Sequence, residues 1–213
     1  MDLGLKGKTA IVTGGSSNIG RGIVLALAKE GANVVITYRD EKQARKTAED
    51  AIALGGHALP IKTEVVERES VENMVKKTVE AFGRLDILVN NVGGGNDGPA
   101  LHEKSYEEID KEIRVNFWAV VCTCKSVSKL MMDQKYGRII NIGTDVSRSG
   151  SARNPIYAAS KAAVGCLADT MSRSTVFFQA GLFRRSRMTS VRAASGTEGK
   201  RPSSSALSSW TSR

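Results

Sequence analysis

The chain has 213 residues, 41% of them hydrophobic, and a formal net charge of +9. That is enough for one sizeable α/β domain, or a domain with a tail, and enough apolar content for a core. No apolar run reaches bilayer-crossing length and residues 1–8 lack the basic-then-apolar order of a secretory leader, so a cytoplasmic protein with no membrane partner is expected.

The charge is unevenly placed. From Arg173 onward eight basic residues face one acidic residue, Glu198, while the first 172 residues hold 23 basic against 21 acidic, a balance of only +2. The same end carries 10 of the 21 serines. The chain therefore reads as a domain over 1–172 and an atypical basic, Ser/Arg-rich tail over 173–213. A basic tail of this kind attracts anionic surfaces without specificity, and nucleic acid is not expected as the evolved partner. Cys122, Cys124 and Cys166 form no even framework, and neither they nor His57 and His102 show metal-ligand spacing, so no metal is expected.

In chain order, Thr9–Thr13 is a short apolar strand followed at once by Gly14-Gly15-Ser16-Ser17-Asn18-Ile19-Gly20 and a helical pattern through Ile23, Leu25, Leu27 and Ala28. Strand, glycine-rich turn and helix is the order that sets a diphosphate on a helix N-terminus, where unpaired amides and the helix dipole favour negative charge. The helix stops at Glu30-Gly31, and Asn33–Thr37 is a second, β-branched strand. The alternation continues with a helix from about Glu41 to Leu54, a strand at Ala58–Ile61, a helix from about Ser70 to Phe82 and a strand at Ile87–Asn90. After a glycine-rich loop, Ser105 with Glu108 is a capping-box signature opening a helical stretch to about Gln134, with an interruption near Asn116. Arg138–Ile142 is the fifth strand. Strands separated by helix-length segments imply a Rossmann-type, doubly wound parallel sheet with helices on both faces, and ligands beyond the carboxyl ends of its strands.

The stretch from Asn141 to Lys161 carries the chemistry. Tyr157 and Lys161 are four residues apart, so phenol and ammonium share one helical face. A free phenol has a pKa of about 10, and a nearby ammonium stabilises its anion, which equips Tyr157 to act as an acid or base.

Taken together, Thr13-Gly14-x-x-x-Asn18-x-Gly20, Asn90-Asn91-Val92-Gly93 and Tyr157-x-x-x-Lys161 resemble the short-chain dehydrogenase/reductase family over roughly residues 5 to 172, and Asp145 and Arg148 after Thr144 resemble its ketoacyl reductase-like members, which act on acyl thioester or alicyclic alcohols and ketones. The resemblance implies an oxidoreductase that interconverts a carbonyl and a secondary alcohol by hydride transfer, acting on a small-molecule substrate. It implies Asn116, Thr144, Tyr157 and Lys161 as catalytic residues: Tyr157 exchanges the proton, Lys161 also bonds the nicotinamide ribose, and Asn116 joins a proton relay. Thr144 stands where the family has serine; it keeps the hydroxyl and adds a methyl. The cofactor residues implied are Gly14, Ser16, Ser17, Asn18, Ile19, Gly20, Arg39, Glu64, Val65, Asn91, Val92, Gly93, Tyr157 and Lys161. Asn18 replaces a usual glycine, and asparagine is the residue that best tolerates left-handed backbone after glycine.

At the end of the second strand Tyr38 occupies the place of an acidic residue that would bind ribose hydroxyls, and Arg39 is suited to a 2′-phosphate. NADP(H) is therefore favoured over NAD(H). Arg39 as a solvated charge, Asp40 as a plain helix cap and Glu64 as a surface carboxylate stay open as alternatives. The loop Gly93–Pro99 is either a substrate contact or a connection.

Beyond Ser172 the family's sixth and seventh strands are not recognisable. Arg173-Ser174-Thr175 breaks the helical pattern, Val176-Phe177-Phe178 is a short apolar run, and the remainder resembles out-of-frame translation. The expectation is a sheet lacking its last strands, an open edge at the fifth, and a frameshifted or disordered tail. The alternative function is then a catalytically inactive cofactor-binding remnant. A homo-oligomer through the long helices near Cys122 and Ala163 is expected.

Overall fold

A computed structural model of the chain describes residues 3–95, 98–174 and 178–185, with backbone alone for 172–174 and 178–185. Its elements alternate from the start: β1 (Thr9–Val12), α1 (Asn18–Lys29), β2 (Asn33–Tyr38), α2 (Glu41–Ala53), β3 (His57–Lys62), α3 (Arg68–Phe82) and β4 (Ile87–Asn90). A single turn at Leu101–Glu103 precedes α4 (Tyr106–Ile113), and a π-helical turn at Arg114–Trp118 joins α4 to α5 (Ala119–Asp133). Then come β5 (Gly137–Thr144), the short α6 (Val146–Ser149), α7 (Pro155–Ser174) and β6 (Phe178–Arg185).

The sheet runs β3-β2-β1-β4-β5-β6, and every pairing is parallel. This is the doubly wound arrangement, with the order reversing between β1 and β4, and ligand sites fall outside the strand carboxyl ends there. Side-chain alternation assigns the faces. Ala10, Val12, Val34 and Ile36 point to a layer with Val24 and Ala28 of α1 and Ala44, Ala48 and Ala51 of α2. Ile11, Val35, Leu88 and Ile139 point the other way, onto Val71 and Met74 of α3, Val127 and Met131 of α5 and Val164 of α7. Pro60 lies in β3 at the edge of the sheet, where a strand tolerates the missing N–H.

The capping box of α4 forms in both directions, Glu108 N–H to Ser105 Oγ at 3.2 Å and Ser105 N–H to Glu108 Oε2 at 2.8 Å. The expected interruption near Asn116 is the π-helical turn, one residue wider than regular helix. Cys122 and Cys124 are buried, and burial pushes the Cys124 thiol up to about 12; Cys166 is exposed. No helix among the described residues is long and apolar enough to cross a membrane.

Two expectations change at the end of the chain. Helix α7 continues through Arg173 to Ser174. The sixth strand, unrecognisable in the sequence, is present as β6, which pairs with β5 from Gly137↔Phe178 to Thr144↔Arg185. Its residues, Phe-Gln-Ala-Gly-Leu-Phe-Arg-Arg, have no clean two-residue alternation. What draws them into the sheet is the row of unpaired N–H and C=O groups that β5 would otherwise expose. The open edge expected at β5 is thus covered, and the expected loss of the seventh strand falls on residues outside those described. The remaining tail, including Pro202–Ser205, lies outside the described residues.

Candidate active site at the sheet's carboxyl edge

The turn after β1 is built by side chains at the carboxyl ends of three strands, Thr13 just after β1, Thr37 in β2 and Asn91 just after β4. Gly14 has φ 61° and donates its N–H to Thr37 Oγ1 at 2.9 Å, while Gly15 N–H reaches Thr37 O at 3.1 Å. A Cβ at Gly20 would lie 2.1 Å from the Gly14 carbonyl oxygen, so only glycine lets the first turn of α1 come this close. Asn18 is left-handed, φ 47°, as its residue type permits. Ser17, at the N-cap of α1, makes no side-chain capping bond, and the first turn holds no acidic residue. The amides at this helix end therefore remain open to an anion.

Thr13 and Asn91 lock this turn to β4. The Thr13 hydroxyl accepts from Asn91 N–H at 2.9 Å and Val92 N–H at 3.1 Å and donates to Val89 O at 3.3 Å. The Asn91 amide donates to Thr13 O at 2.9 Å and Gly14 O at 3.3 Å. Asn91 thus holds the turn from behind. One layer deeper, Asn90 donates to Asn141 Oδ1 at 2.9 Å and accepts from Thr123 Oγ1 at 2.8 Å, tying β4 to β5 and α5.

Tyr157 and Lys161 stand on the first turns of α7, and Thr144 ends β5. A cleft of about 630 Å³ brings all three together with Gly14, Ser17, Asn18, Ile19, Gly20, Arg39, Asn91, Val92 and Gly93. A second cleft of about 330 Å³ continues from it past Ser16, Arg39, Glu64 and Val65. Together they have the extent and polarity to take a dinucleotide: open amides at the middle, the Arg39 guanidinium at one end and the phenol–ammonium pair at the other. Among the described residues Arg39 makes no ion pair, whereas Asp40 caps α2, accepting from Gln43 N–H at 3.1 Å. Glu64 is exposed at the cleft wall, its own N–H donating to Ser70 Oγ at 2.9 Å.

Lys161 is 3% exposed and donates to Ile142 O at 3.0 Å, with its Nζ 5.9 Å from the centroid of the Tyr157 ring. Burial holds its ammonium down at about 8. Asn116, 1% exposed, does not line the cleft. Its carboxamide is committed to Gly94, accepting from the N–H at 2.9 Å and donating to the C=O at 3.0 Å, and also donates to Glu112 O at 3.0 Å. Asn116 therefore fastens the loop after β4. That loop passes close over the site: Gly93 lies against Asn116 Oδ1 and Lys161 Nζ, and Gly95 lies on the Tyr157 ring.

The roles of Thr13 and Thr37 as acceptors for the turn, of Ile142 O as the Lys161 anchor, and of Gly94 and Gly95 were not singled out from the sequence. Thr13 and Thr37 sit at strand ends beside the turn, a usable signal; a backbone acceptor such as Ile142 O leaves none.

A family model described as short chain dehydrogenase matches residues 8–176. The chain belongs to that family, the short-chain dehydrogenase/reductase oxidoreductases. It is 38% identical over 161 residues to a 3-oxoacyl-[acyl-carrier-protein] reductase of Synechocystis sp., covering 75% of this chain and 65% of that relative, so it spans less than two thirds of the relative's length. Among solved structures, a metagenomic short-chain oxidoreductase in complex with NADP is 31% identical with a TM-score of 0.80, covering 84% of this chain and 82% of the other. NAD+-bound xylitol dehydrogenase is 25% identical with a TM-score of 0.82, covering 85% and 71%.

Proposed function

We propose that the protein interconverts a carbonyl and a secondary alcohol with NADP(H), on a ketoacyl thioester or similar ketone. The observation that carries this reading is that Thr144, Tyr157 and Lys161 line the same cleft as the Gly14–Gly20 turn. The 3-oxoacyl reductase relative supports the substrate class. Neighbouring structures hold either NADP or NAD, and the Arg39 guanidinium at the cleft favours NADP(H) here.

Bound in the cleft, a nicotinamide dinucleotide supplies the hydride to the carbonyl carbon, or accepts it in the reverse direction. The chain's own residues handle the oxygen. Thr144 donates its hydroxyl to the substrate oxygen and polarises the carbonyl. Tyr157 then gives that oxygen its proton, and the phenolate left behind is stabilised by the ammonium of Lys161, which Ile142 O holds in place. In oxidation the Tyr157 phenolate takes the alcohol proton. Asn116 contributes by keeping Gly94 in position. Residues 1–172 make up the dinucleotide-binding and catalytic unit in this reading, with β6 added at the sheet edge, and α5 and α7 offer the surfaces for self-association.

Purified protein tests it. NADPH binding followed by fluorescence, with ketone-dependent loss of NADPH absorbance that vanishes in Tyr157→Phe while binding persists, is the expected result. Binding without turnover on a broad panel of ketones and ketoacyl thioesters, with either cofactor, would instead establish the inactive cofactor-binding remnant.

A further inference from the structure

Among the described residues, the ties on the glycine-rich connection between β4 and α4 include three beyond those of Asn91 and Val92 to Thr13. Asn116 grips Gly94 at both backbone groups, Gly98 N–H donates to Arg153 O at 3.3 Å, and Lys104 Nζ pairs with Glu112 Oε1. The third is chemically costly. The Lys104 side chain is 4% exposed and that of Glu112 25%. Glu112 Oε2 is shielded from solvent and has no hydrogen-bond partner among the described residues, so each charge depends on the other for compensation.

Glu112 also reaches the loop's other end. Its carbonyl accepts from the Asn116 amide that grips Gly94, one helical turn later. Glu112 and Lys104 line a cleft of about 450 Å³ together with Gly93–Gly95. Gly95 in turn lies flat on the catalytic phenol, where a Cβ would sit 2.6 Å from Tyr157 Cγ.

We propose that Lys104 and Glu112 form an ionic clamp that positions Gly93–Gly95 against Tyr157, which makes both of them positioning residues for proton transfer. The catalytic part rests on Tyr157 being the acid/base. Three successive glycines have little conformational preference of their own, so their path is set by what grips them. The cofactor turn has separate fastenings in Thr13, Thr37 and Asn91. Loosening the clamp therefore disturbs the geometry at Tyr157 more than cofactor affinity, which loses only the share carried by Gly93.

The test compares the full wild-type chain with Glu112→Gln and with the double variant Lys104→Met/Glu112→Leu, which leaves no buried ion unpaired. Amide hydrogen exchange over residues 93–95 is read beside kcat and the Kd for NADPH. In both variants exchange there rises by at least about tenfold. Both also lose about tenfold or more in kcat, with a smaller loss in Kd because only Gly93 of the freed residues lines the cofactor cleft. Unchanged exchange at Gly94 overturns the clamp. So does a double variant in which exchange and kcat both return to wild type. Faster exchange in a protein whose wild type turns over no ketone overturns the catalytic role and the acid/base reading together, while the loop's dependence on the clamp stands.

Discussion

Replacing Lys161 by methionine separates the cost of the site from its use. Burial takes the lysine from 10.5 to about 8, and at about 1.4 kcal/mol per pH unit the folded chain carries about 3 kcal/mol of penalty for keeping this ammonium charged. Methionine fills a similar volume without charge but forfeits the bond to Ile142 O, worth about 1 kcal/mol. Lys161→Met should therefore stabilise the ligand-free protein by about 2 kcal/mol at pH 7, raising Tm by about 4–8 °C. The gain depends on pH in a defined direction. Below about 8 the lysine is protonated in both folded and unfolded chains and the penalty is fully present. Between about 8 and 10.5 the folded chain has released the proton while the unfolded chain still binds it, so wild-type stability climbs. Above 10.5 the penalty is gone. Thermal or urea melts of the two proteins at pH 7, 9 and 10.5 should show the difference shrinking towards zero or reversing. A variant less stable than wild type at pH 7, or a gain that does not vary with pH, would refute the burial argument.

At Gly20, alanine would set Cβ 2.1 Å from a backbone oxygen with no flexible neighbour to yield, so Gly20→Ala should weaken NADPH binding by about 100-fold or more in a fluorescence titration. The Thr13 hydroxyl makes three hydrogen bonds, and Thr13→Val strands two N–H donors; a loss of about 3 kcal/mol in urea unfolding is expected, with Thr13→Ser close to wild type. Arg39→Ala should cost about tenfold in NADPH affinity and little in NADH affinity by calorimetry. Equal losses for the two cofactors would show that Arg39 does not read the 2′-phosphate.

Local order was legible in the residues because it rests on short-range rules. Alternating strand and helix patterns, Gly31 and Gly83 after their helices, the Ser105–Glu108 box and the glycine turn after β1 each depend on neighbours a few positions apart. They were sufficient to anticipate a parallel doubly wound sheet with its ligand site beyond the strand carboxyl ends. Strand β6 was not legible, because Phe178–Arg185 has no pattern of its own and pairs with β5 through backbone groups any sequence carries.

The same division runs through the site. Sequence by itself determined which functional groups are present and their order along the chain: a phenol and an ammonium one helical turn apart, a hydroxyl thirteen residues earlier and an asparagine in the preceding helical stretch. Tertiary structure alone decided what each of them touches. Lys161 is held by a backbone carbonyl 19 residues away, Asn116 spends its carboxamide on Gly94, and Lys104 finds Glu112 across α4. Spacing along the chain determines which side chains share a face, whereas burial and hydrogen-bond partners arise only when separate elements close on one another.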